Sequence, residues 1–362
     1  MSYKLKTSLL VSCFLFLLSF QSISARFFSF DLNPPQPLHK GYFADPFNTD
    51  FSLSYIWLGS GESRPAYVYK VGKSSDGNTT YEGLNINQYY EAGKTMIQMR
   101  AGTSVPAARI SFSFGESLPA LSFEANIRGG FRSLFFAYSG TDMLGVDGTY
   151  FIGLNAALGN FLTFSFGRKH YSGHYGDEIL LKLDNKQPAN GSLFKDSIID
   201  YVRQDPLCFA LSLNPIKNWR FYGELRLGDT GRILKPDFTG TASTQDNYRA
   251  REIQVGTEIR HPIPYLGDFI LALDITFHEF GKFVGKGSGT VVNGEYQKYE
   301  FVYDENALWE TEFQIVVAQA ITNKNQPLKA HLVATYHWGR FPLFAFHMSK
   351  SSYISLGATV TF

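Results

Sequence analysis

The chain ends in the ten residues Tyr353-Ile354-Ser355-Leu356-Gly357-Ala358-Thr359-Val360-Thr361-Phe362. Because successive side chains of a β-strand point to opposite faces, this stretch has one apolar face and one small or polar face. The apolar face carries Ile354, Leu356, Ala358, Val360 and Phe362. A fully alternating segment that ends in an aromatic residue is typical of the strand that closes a transmembrane β-barrel. We therefore expect Phe362 at the periplasmic end, where this strand would engage the barrel-assembly machinery.

The same alternation recurs along the chain. Clear examples span residues 121–128, 207–213, 219–227, 252–260, 269–278 and 328–338, and weaker ones span residues 94–101, 108–114, 149–157 and 309–319. Another strand begins near Phe161. These segments approach the length that a tilted strand needs to cross a bilayer. We predict an all-β fold, an antiparallel transmembrane β-barrel of the outer-membrane type with about 12 strands between Thr95 and Phe362.

Two alternatives accompany this prediction. Residues 51–58 and 66–71 could add a hairpin, which would raise the count to about 14 strands. A soluble β-sandwich would show the same alternation, with its apolar faces turned inward. The C-terminal strand and the lengths of the connections favour the membrane barrel.

The connections between these segments alternate in length. Short ones span residues 158–160, 214–218, 261–268 and 321–327, and long ones span residues 129–148, 173–206, 229–250, 281–307 and 339–352. Outer-membrane barrels have short periplasmic turns and long extracellular loops. With Phe362 at the periplasmic end, every long connection falls outside and every short one inside.

The polar faces of the predicted strands carry charges of both signs. They include Arg220, Glu224, Arg226, Glu252, Glu258, Arg260, Glu310 and Glu312. Such groups need water or ion-pair partners, which a barrel lumen supplies. Dense pairs of opposite charge favour a narrow or plugged lumen over a general pore.

The N-terminus has the features of a secretory signal peptide. Lys4 and Lys6 precede an apolar run at residues 9–20, and small residues lead to Ala25. We predict a signal peptide at residues 1–25, an N-terminal segment at residues 26–93 that is periplasmic or plugs the barrel, and the barrel itself at residues 94–362. After the signal peptide, no apolar run is long enough for a transmembrane helix. This organisation predicts a protein of the bacterial outer membrane.

Composition narrows the classes of partner. The formal net charge is +1, so the sequence gives no reason to expect nucleic-acid binding. Cys208 is the only cysteine beyond the signal peptide, so an intrachain disulfide is excluded. We expect membrane lipid as the surrounding partner and no cofactor, and the sequence does not define an oligomeric state.

One polar string differs from the strands around it. It reads Arg168-Lys169-His170-Tyr171-Ser172-Gly173-His174-Tyr175-Gly176-Asp177-Glu178. It follows the alternating residues after Phe161, and it lies at the end that we expect to be extracellular. His170 and Ser172 are two residues apart and so share one strand face. A histidine that takes the proton of a serine is the minimum arrangement for acyl transfer, so both are candidate catalytic residues.

The alternation along this strand predicts whether His170 and Ser172 face lipid or the lumen. Even-numbered residues before it are apolar (Leu162, Phe164 and Phe166), so the even face is predicted to face lipid. Arg168 and His174 continue that face and are candidate binding residues. The third catalytic member would be Asp177, Glu178 or a residue of a neighbouring strand.

The His170-x-Ser172 pair resembles that of outer-membrane phospholipase A and the lipid A deacylases, which carry such a pair on one strand near the outer leaflet. This resemblance implies that His170 is the base and Ser172 the nucleophile of a lipid acyl hydrolase. The chain departs from those enzymes after the serine, where it has Gly173-His174 in place of Asn or a similar residue followed by Gly.

A second resemblance covers most of the chain after the signal peptide. The string is similar to the His-x-Ser-Ser-His-Leu-Gly-Asp-Glu motif of an uncharacterised family of bacterial outer-membrane β-barrel proteins. The matching residues are His170, Ser172, His174, Gly176, Asp177 and Glu178, whereas Gly173 and Tyr175 differ. Ala44-Asp45-Pro46 and the acidic residues Glu310 and Glu312 also resemble that family, which implies a barrel and no particular activity.

Other interpretations of the string remain open from the sequence. A bulge at Gly167 would turn its even-numbered residues into the lumen, where they would form a structural polar network. His170, His174 and Asp177 could instead ligate a divalent metal ion. The three functional hypotheses are a structural or narrow-lumen transport barrel, an outer-leaflet lipid acyl hydrolase, and a surface ligand or metal binder that uses its long loops.

Overall fold

The computed structural model describes part of the chain in detail. The described residues are 27–48, 50–59, 67–73, 79–85, 93–115, 118–137, 142–177, 198–199, 202–228, 251–265, 267–278, 282–286, 290–292, 295–297, 300–304, 309–322, 328–346 and 349–361. The predicted signal peptide, Glu178 and Phe362 lie outside these residues. Within the described ranges, no helix is long and apolar enough to cross a membrane.

The described secondary structure is almost entirely β. In chain order the strands are β1 (Phe28–Leu32), β2 (Phe51–Leu58), β3 (Tyr67–Lys73), β4 (Thr79–Asn85), β5 (Thr95–Phe112), β6 (Leu121–Phe136), β7 (Met143–Leu158), β8 (Leu162–Tyr175), β9 (Ile198–Ile199), β10 (Val202–Gln204), β11 (Leu207–Ile216), β12 (Trp219–Leu227), β13 (Arg251–Ile263), β14 (Gly267–His278), β15 (Lys282–Lys286), β16 (Thr290–Val292), β17 (Glu295–Gln297), β18 (Glu300–Asp304), β19 (Glu310–Ala320), β20 (Lys329–Arg340) and β21 (Lys350–Thr361). A short 3₁₀ helix, Phe344–Phe346, lies between β20 and β21.

Twelve of these strands form a closed antiparallel barrel. Their order around the barrel is β2, β21, β20, β19, β14, β13, β12, β11, β8, β7, β6 and β5, and β5 pairs with β2 to close the ring. The C-terminal strand β21 pairs with the first barrel strand, β2, from Phe51 opposite Val360 to Leu58 opposite Tyr353. The predicted fold class and strand number are thus confirmed.

The assignment of residues to the twelve strands was partly wrong. Residues 94–101 and 108–114, predicted as two strands, belong to the single 18-residue strand β5. Pro106 lies at a register shift between β5 and β6, where a bulge tolerates the missing backbone donor. β2 supplies the twelfth strand without a hairpin partner, because β3 pairs with β4 and β9.

The wall formed by β5 to β8 is taller than predicted. The long connection expected at residues 129–148 is reduced to residues 137–142, because β6 and β7 continue through it. Gly129 and Gly130 are strand residues there, opposite Tyr150 and Thr149 of β7. We call this end of the barrel the loop end, and we call the opposite end, where short connections join β7 to β8 and β11 to β12, the turn end.

The outer surface of the barrel is apolar and the inner surface is polar. On β14, Leu271 is 42% exposed on the outside, whereas the next inward carboxylate, Asp274, is 2% exposed. Large aromatic side chains are exposed near both rims, with Trp219 at the turn end and Trp57 and Trp338 at the loop end. An apolar band between aromatic girdles is the surface that a lipid bilayer requires.

Residues 38–48, which we call the lumen segment, lie inside the barrel. Inward-facing side chains of the wall bind its backbone: Phe43 N–H donates to Glu258 Oε1 at 2.5 Å, and Gln314 Nε2 donates to Ala44 O at 2.9 Å. Arg220 donates to two successive carbonyl oxygens, those of Lys40 at 2.7 Å and Gly41 at 2.9 Å. The wall thereby satisfies backbone groups that would otherwise be buried without partners.

Aromatic and cationic groups hold the lumen segment from the side. The Tyr42 ring stacks on Tyr222 with centroids 3.8 Å apart and an interplanar angle of 4°. The guanidinium of Arg132 lies 4.0 Å from the centroid of the Phe47 ring. Asp45 closes a tight turn by accepting a hydrogen bond from Phe47 N–H at 2.9 Å. The segment therefore fills the middle of the lumen as an ordered element.

The connection between β20 and β21 folds into the lumen at the loop end and narrows it. Phe341, Leu343 and Phe346 are buried there. Phe344 N–H donates to both carboxylate oxygens of Asp147 at 3.0 Å. The barrel is thus occupied at two levels, by the lumen segment and by this inward-folded connection.

The facing of β14 predicts a large cost for charge on the outer surface. Leu273→Arg should lower the free energy of unfolding by about 2–4 kcal/mol, because a cation near the bilayer midplane loses its hydration. Leu273→Met, which keeps an apolar side chain of similar size, should change it by less than about 1.5 kcal/mol. Denaturant unfolding in lipid vesicles measures both, and equal stability of the two variants would contradict the assigned facing.

The contacts of the lumen segment predict that it blocks conduction. Replacing residues 38–48 by a flexible glycine-serine linker should produce resolved channel openings in planar bilayers that the wild type lacks. Tyr42→Phe, which keeps the ring stack, should behave as the wild type. Silent bilayers at equal loads of folded protein for all three would show that the segment is not what closes the lumen.

Candidate active site on the outer face of the barrel

Strand β8 presents the polar string to the outside of the barrel. Pairing of β7 with β8 runs without a register shift from Leu158 opposite Leu162 to Gly145 opposite Tyr175. Residues 163, 165, 167, 171, 173 and 175 are buried on the inside, and residues 164, 166, 168 and 174 are exposed on the outside. His170 and Ser172 share the phase of the exposed set. The alternative in which a bulge at Gly167 turns them into the lumen is therefore wrong.

His170 forms a short contact with a carboxylate from the neighbouring strand. Its Nδ1 lies 2.7 Å from Oδ1 of Asp205. Asp205 comes opposite His170 because Gln204 pairs with Tyr171 and because Lys169 N–H donates to Pro206 O at 3.0 Å. A carboxylate at Nδ1 favours the tautomer that carries its proton there, which leaves Nε2 of the neutral ring as an acceptor.

Tyr150 fixes the plane of the same imidazole. Its ring stacks on His170 with centroids 4.6 Å apart and an interplanar angle of 13°. The side chains of His170 and Asp205 are 17% and 30% exposed, so the pair stays accessible from outside the barrel. The imidazole is thus oriented by contacts on two sides.

Ser172 lies two residues beyond His170 on the same face, nearer the loop end. Two residues of extended strand separate the Cα atoms by about 6.6 Å, a distance that side chains span. No hydrogen bond in the described part of the chain joins Ser172 Oγ to His170. Catalytic hydrogen bonds in ligand-free enzymes are often long and tighten when substrate binds. The arrangement has the parts of an acyl-transfer site in an open form.

The other predicted site residues lie nearby in different roles. Arg168 and His174 flank the pair on the outer face, and Asp177 follows the end of β8. The carboxylate that contacts His170 is Asp205, whereas Glu178 lies outside the described residues. Among the described residues, no three His, Cys, Asp or Glu side chains form a group able to hold a metal ion.

The sequence pattern leaves the third member of the site open and does not identify Asp205. The alternation does indicate which way Asp205 faces. Leu207, Phe209 and Leu211 form one face of the predicted strand, and residue 205 continues that face. An acidic residue that continues an apolar face at the expected extracellular end was the available signal. What the sequence did not provide was the register between β11 and β8.

The inner face of β8 is braced behind the site. A Cβ added to Gly173 would lie 2.6 Å from Ala345 N and 3.0 Å from Asp147 Oδ1. The Tyr175 hydroxyl donates to Ala345 O at 3.1 Å. Arg132 Nη2 donates to Asp147 Oδ2 at 2.6 Å, which holds the carboxylate that caps the 3₁₀ helix. The close approach explains glycine at position 173, where the resembling motif has a second serine.

Several solved outer-membrane β-barrels are similar to this chain in architecture. No protein-family model and no curated protein matches this chain. A similar solved structure is outer membrane phospholipase A from Escherichia coli, at 10% sequence identity and a TM-score of 0.48, with 87% of this chain and 93% of that chain covered. The calcium-bound outer membrane phospholipase dimer from Salmonella typhi is similar at 11% identity and a TM-score of 0.48, with 90% and 95% covered.

The similarity extends to barrels of other kinds. The NanC porin matches at 11% identity and a TM-score of 0.36, with 82% of this chain and 100% of that chain covered. At these values the comparisons concern barrel architecture and assign no activity to this chain. Membership of the family with the serine-serine motif stays a prediction.

The packing behind Gly173 predicts a stability effect. Gly173→Ala should lower the free energy of unfolding by about 1–3 kcal/mol, because the new methyl group overlaps the backbone of the inward-folded connection. Ser172→Ala, one residue away on the outer face, should change it by less than about 0.5 kcal/mol. Denaturant unfolding in lipid vesicles provides the comparison, and equal stability of the two variants would contradict the close approach.

Proposed function

We propose that this chain is a bacterial outer-membrane barrel that hydrolyses acyl esters of outer-leaflet lipids. Ser172 is the nucleophile, His170 the general base, and Asp205 the group that orients the imidazole. The observation that carries the proposal is the 2.7 Å contact between His170 Nδ1 and Asp205 Oδ1, beside Ser172 on the outer face of the barrel. Serine, histidine and carboxylate in these roles form a general acyl-transfer device.

The chemistry follows from these three groups. Ser172 Oγ attacks the ester carbonyl carbon while His170 Nε2 takes the hydroxyl proton. Asp205 stabilises the imidazolium that forms. The imidazolium then protonates the leaving alcohol as the carbon–oxygen bond of the ester breaks, which leaves an acyl-serine. Water, deprotonated by the same imidazole, releases the fatty acid and restores Ser172.

Position on the barrel supports a lipid as substrate. Outward residues on the turn-end side of the pair are apolar, among them Ile152 of β7 and Phe166 of β8, whereas Arg168 and His174 flank the pair itself. The pair lies toward the loop end, near the rim of the apolar surface. An ester at the junction of acyl chain and headgroup lies at this depth of a bilayer, so a membrane lipid would reach Ser172 without leaving its leaflet.

The occupied lumen weighs against an open transport pore. The lumen segment and the inward-folded connection lie in the interior at two levels, and wall side chains bind their backbones. A structural barrel without catalysis remains the principal competitor. Surface binding through long loops rests mainly on residues outside the described part of the chain and stays a hypothesis.

Localisation and assembly belong to the same proposal. The apolar outer band and the aromatic rims support insertion in a bilayer. Export by the signal peptide at residues 1–25, and recognition by the barrel-assembly machinery of the last strand with Phe362, remain predictions from the sequence. In this proposal the lipid that surrounds the barrel is also the substrate that it hydrolyses.

The proposal predicts which side chains carry activity. Ser172→Ala should lower the release of fatty acid from lipid micelles by about 10²-fold or more. Asp205→Asn should lower it by about 10²–10⁴-fold, because an amide no longer stabilises the required tautomer and the imidazolium. Asp177→Asn is the matched control at the same end of the barrel and should retain wild-type activity.

Fatty-acid release is measured at equal amounts of folded protein, which heat-modifiable gel migration verifies. Full activity of Ser172→Ala would show that Ser172 is not the nucleophile. If Asp177→Asn lost activity while Asp205→Asn kept full activity, Asp205 would not be the carboxylate that orients His170.

A further inference from the structure

Gly148 is the residue directly across from Ser172 on β7. A Cβ added to it would lie 3.2 Å from Ser172 Oγ, and no other heavy atom of the described residues, its chain neighbours apart, would come within 4 Å. Its backbone φ is not in the left-handed region, so any L-residue could adopt the conformation. Neither the backbone nor the protein packing therefore requires glycine at this position.

Other glycines of the same two strands differ in this respect. Added Cβ atoms at Gly145, Gly153 and Gly167 would lie 2.5, 2.3 and 2.4 Å from backbone oxygens of the adjacent strand. Those positions exclude a side chain for structural reasons. At Gly148 an added Cβ would come within 4 Å of only one atom of the described residues, the hydroxyl oxygen of the proposed nucleophile.

The missing side chain leaves a gap on the outer face. Phe131 of β6 is the cross-strand partner of Gly148 on its other side and is 41% exposed. Neighbouring strands are about 4.8 Å apart, so about 9.6 Å separates the backbones that carry Phe131 and Ser172. Tyr150, 46% exposed and next outward on β7, borders the gap toward the turn end. The gap opens onto the surface that contacts lipid.

We propose that Gly148 determines the specificity of the site by keeping the approach to Ser172 Oγ open for a long-chain acyl ester. The ester carbonyl enters above Gly148, and the first methylene groups of its acyl chain lie against the Phe131 ring. This inference rests on the proposed hydrolase function and names the part of the substrate that the site recognises. A glycerophospholipid and a lipopolysaccharide both contain such an ester.

The test compares two outward-facing glycines. Gly148→Val puts a branched side chain beside Ser172, and Gly148→Ala puts the smallest one there. Gly223→Val on β12 is the matched control, because an added Cβ at Gly223 would come no closer than 3.6 Å to any neighbour. Valine suits a strand better than glycine, so both valine variants should be at least as stable as the wild type.

Activity is measured as kcat/KM for long-chain ester hydrolysis, in separate micelles of phosphatidylethanolamine and of lipopolysaccharide. Gly148→Val should lower it by about tenfold or more and Gly148→Ala by a smaller factor, because a misplaced reacting carbonyl slows attack steeply. Gly223→Val should match the wild type. The micelle on which the wild type acts identifies the source of the ester.

Each outcome has one meaning. Wild-type activity in folded Gly148→Val, or in Gly148→Ala should the valine variant fail to fold, overturns the role of Gly148 and leaves the hydrolase intact. Equal losses in Gly148→Val and Gly223→Val overturn it as well, because the effect is then not local. A wild type that cleaves neither lipid overturns the hydrolase and, with it, this inference.

Discussion

Satisfying polar groups inside a closed barrel is the constraint on which the structure depends. Lipid outside cannot accept hydrogen bonds, so every inward carboxylate and guanidinium needs a partner in the lumen. Glu124 and Glu258 accept from the backbone of the lumen segment, at Leu38 and Phe43. Arg226 bridges Glu224 and Glu252 across two strands. The charged wall and the segments inside the barrel therefore stabilise one another. This mutual stabilisation favours an occupied lumen over an open pore.

A filled lumen also shapes the outer surface. Because residues alternate along β8, the inward packing of Tyr171, Gly173 and Tyr175 fixes the direction of the side chains that point outward. Asp147 connects Arg132 to the 3₁₀ helix behind Gly173. The strand that carries His170 and Ser172 is thus held from inside by groups that lie outside the proposed site. Rigid support of this kind is what a site on a barrel surface needs.

Much of the fold could be predicted from the alternation, because each half-apolar strand has one orientation in a barrel. The strand number and the facing of Leu271 and Asp274 follow from it. The alternation does not predict that β5 and β6 are each continuous. Pro106 in β5 and Gly129 and Gly130 in β6 look like strand breaks when the residues that pair with them are unknown. The contact of Asp205 with His170 depends on the register between β8 and β11, which are separated by the 31 residues from Gly176 to Pro206. No local sequence pattern encodes that register.

The outer face at the loop end combines features that are unfavourable for stability alone. A serine, a histidine and an aspartate on a surface that otherwise contacts lipid lose hydration, and the His170–Asp205 pair offsets only part of that loss. Glycine within a strand costs roughly 0.5–1 kcal/mol relative to alanine. At Gly148 no close contact with the described residues requires glycine, so none compensates for that cost. Both costs arise beside Ser172, where the proposed hydrolase would need a reactive hydroxyl and an open approach to it.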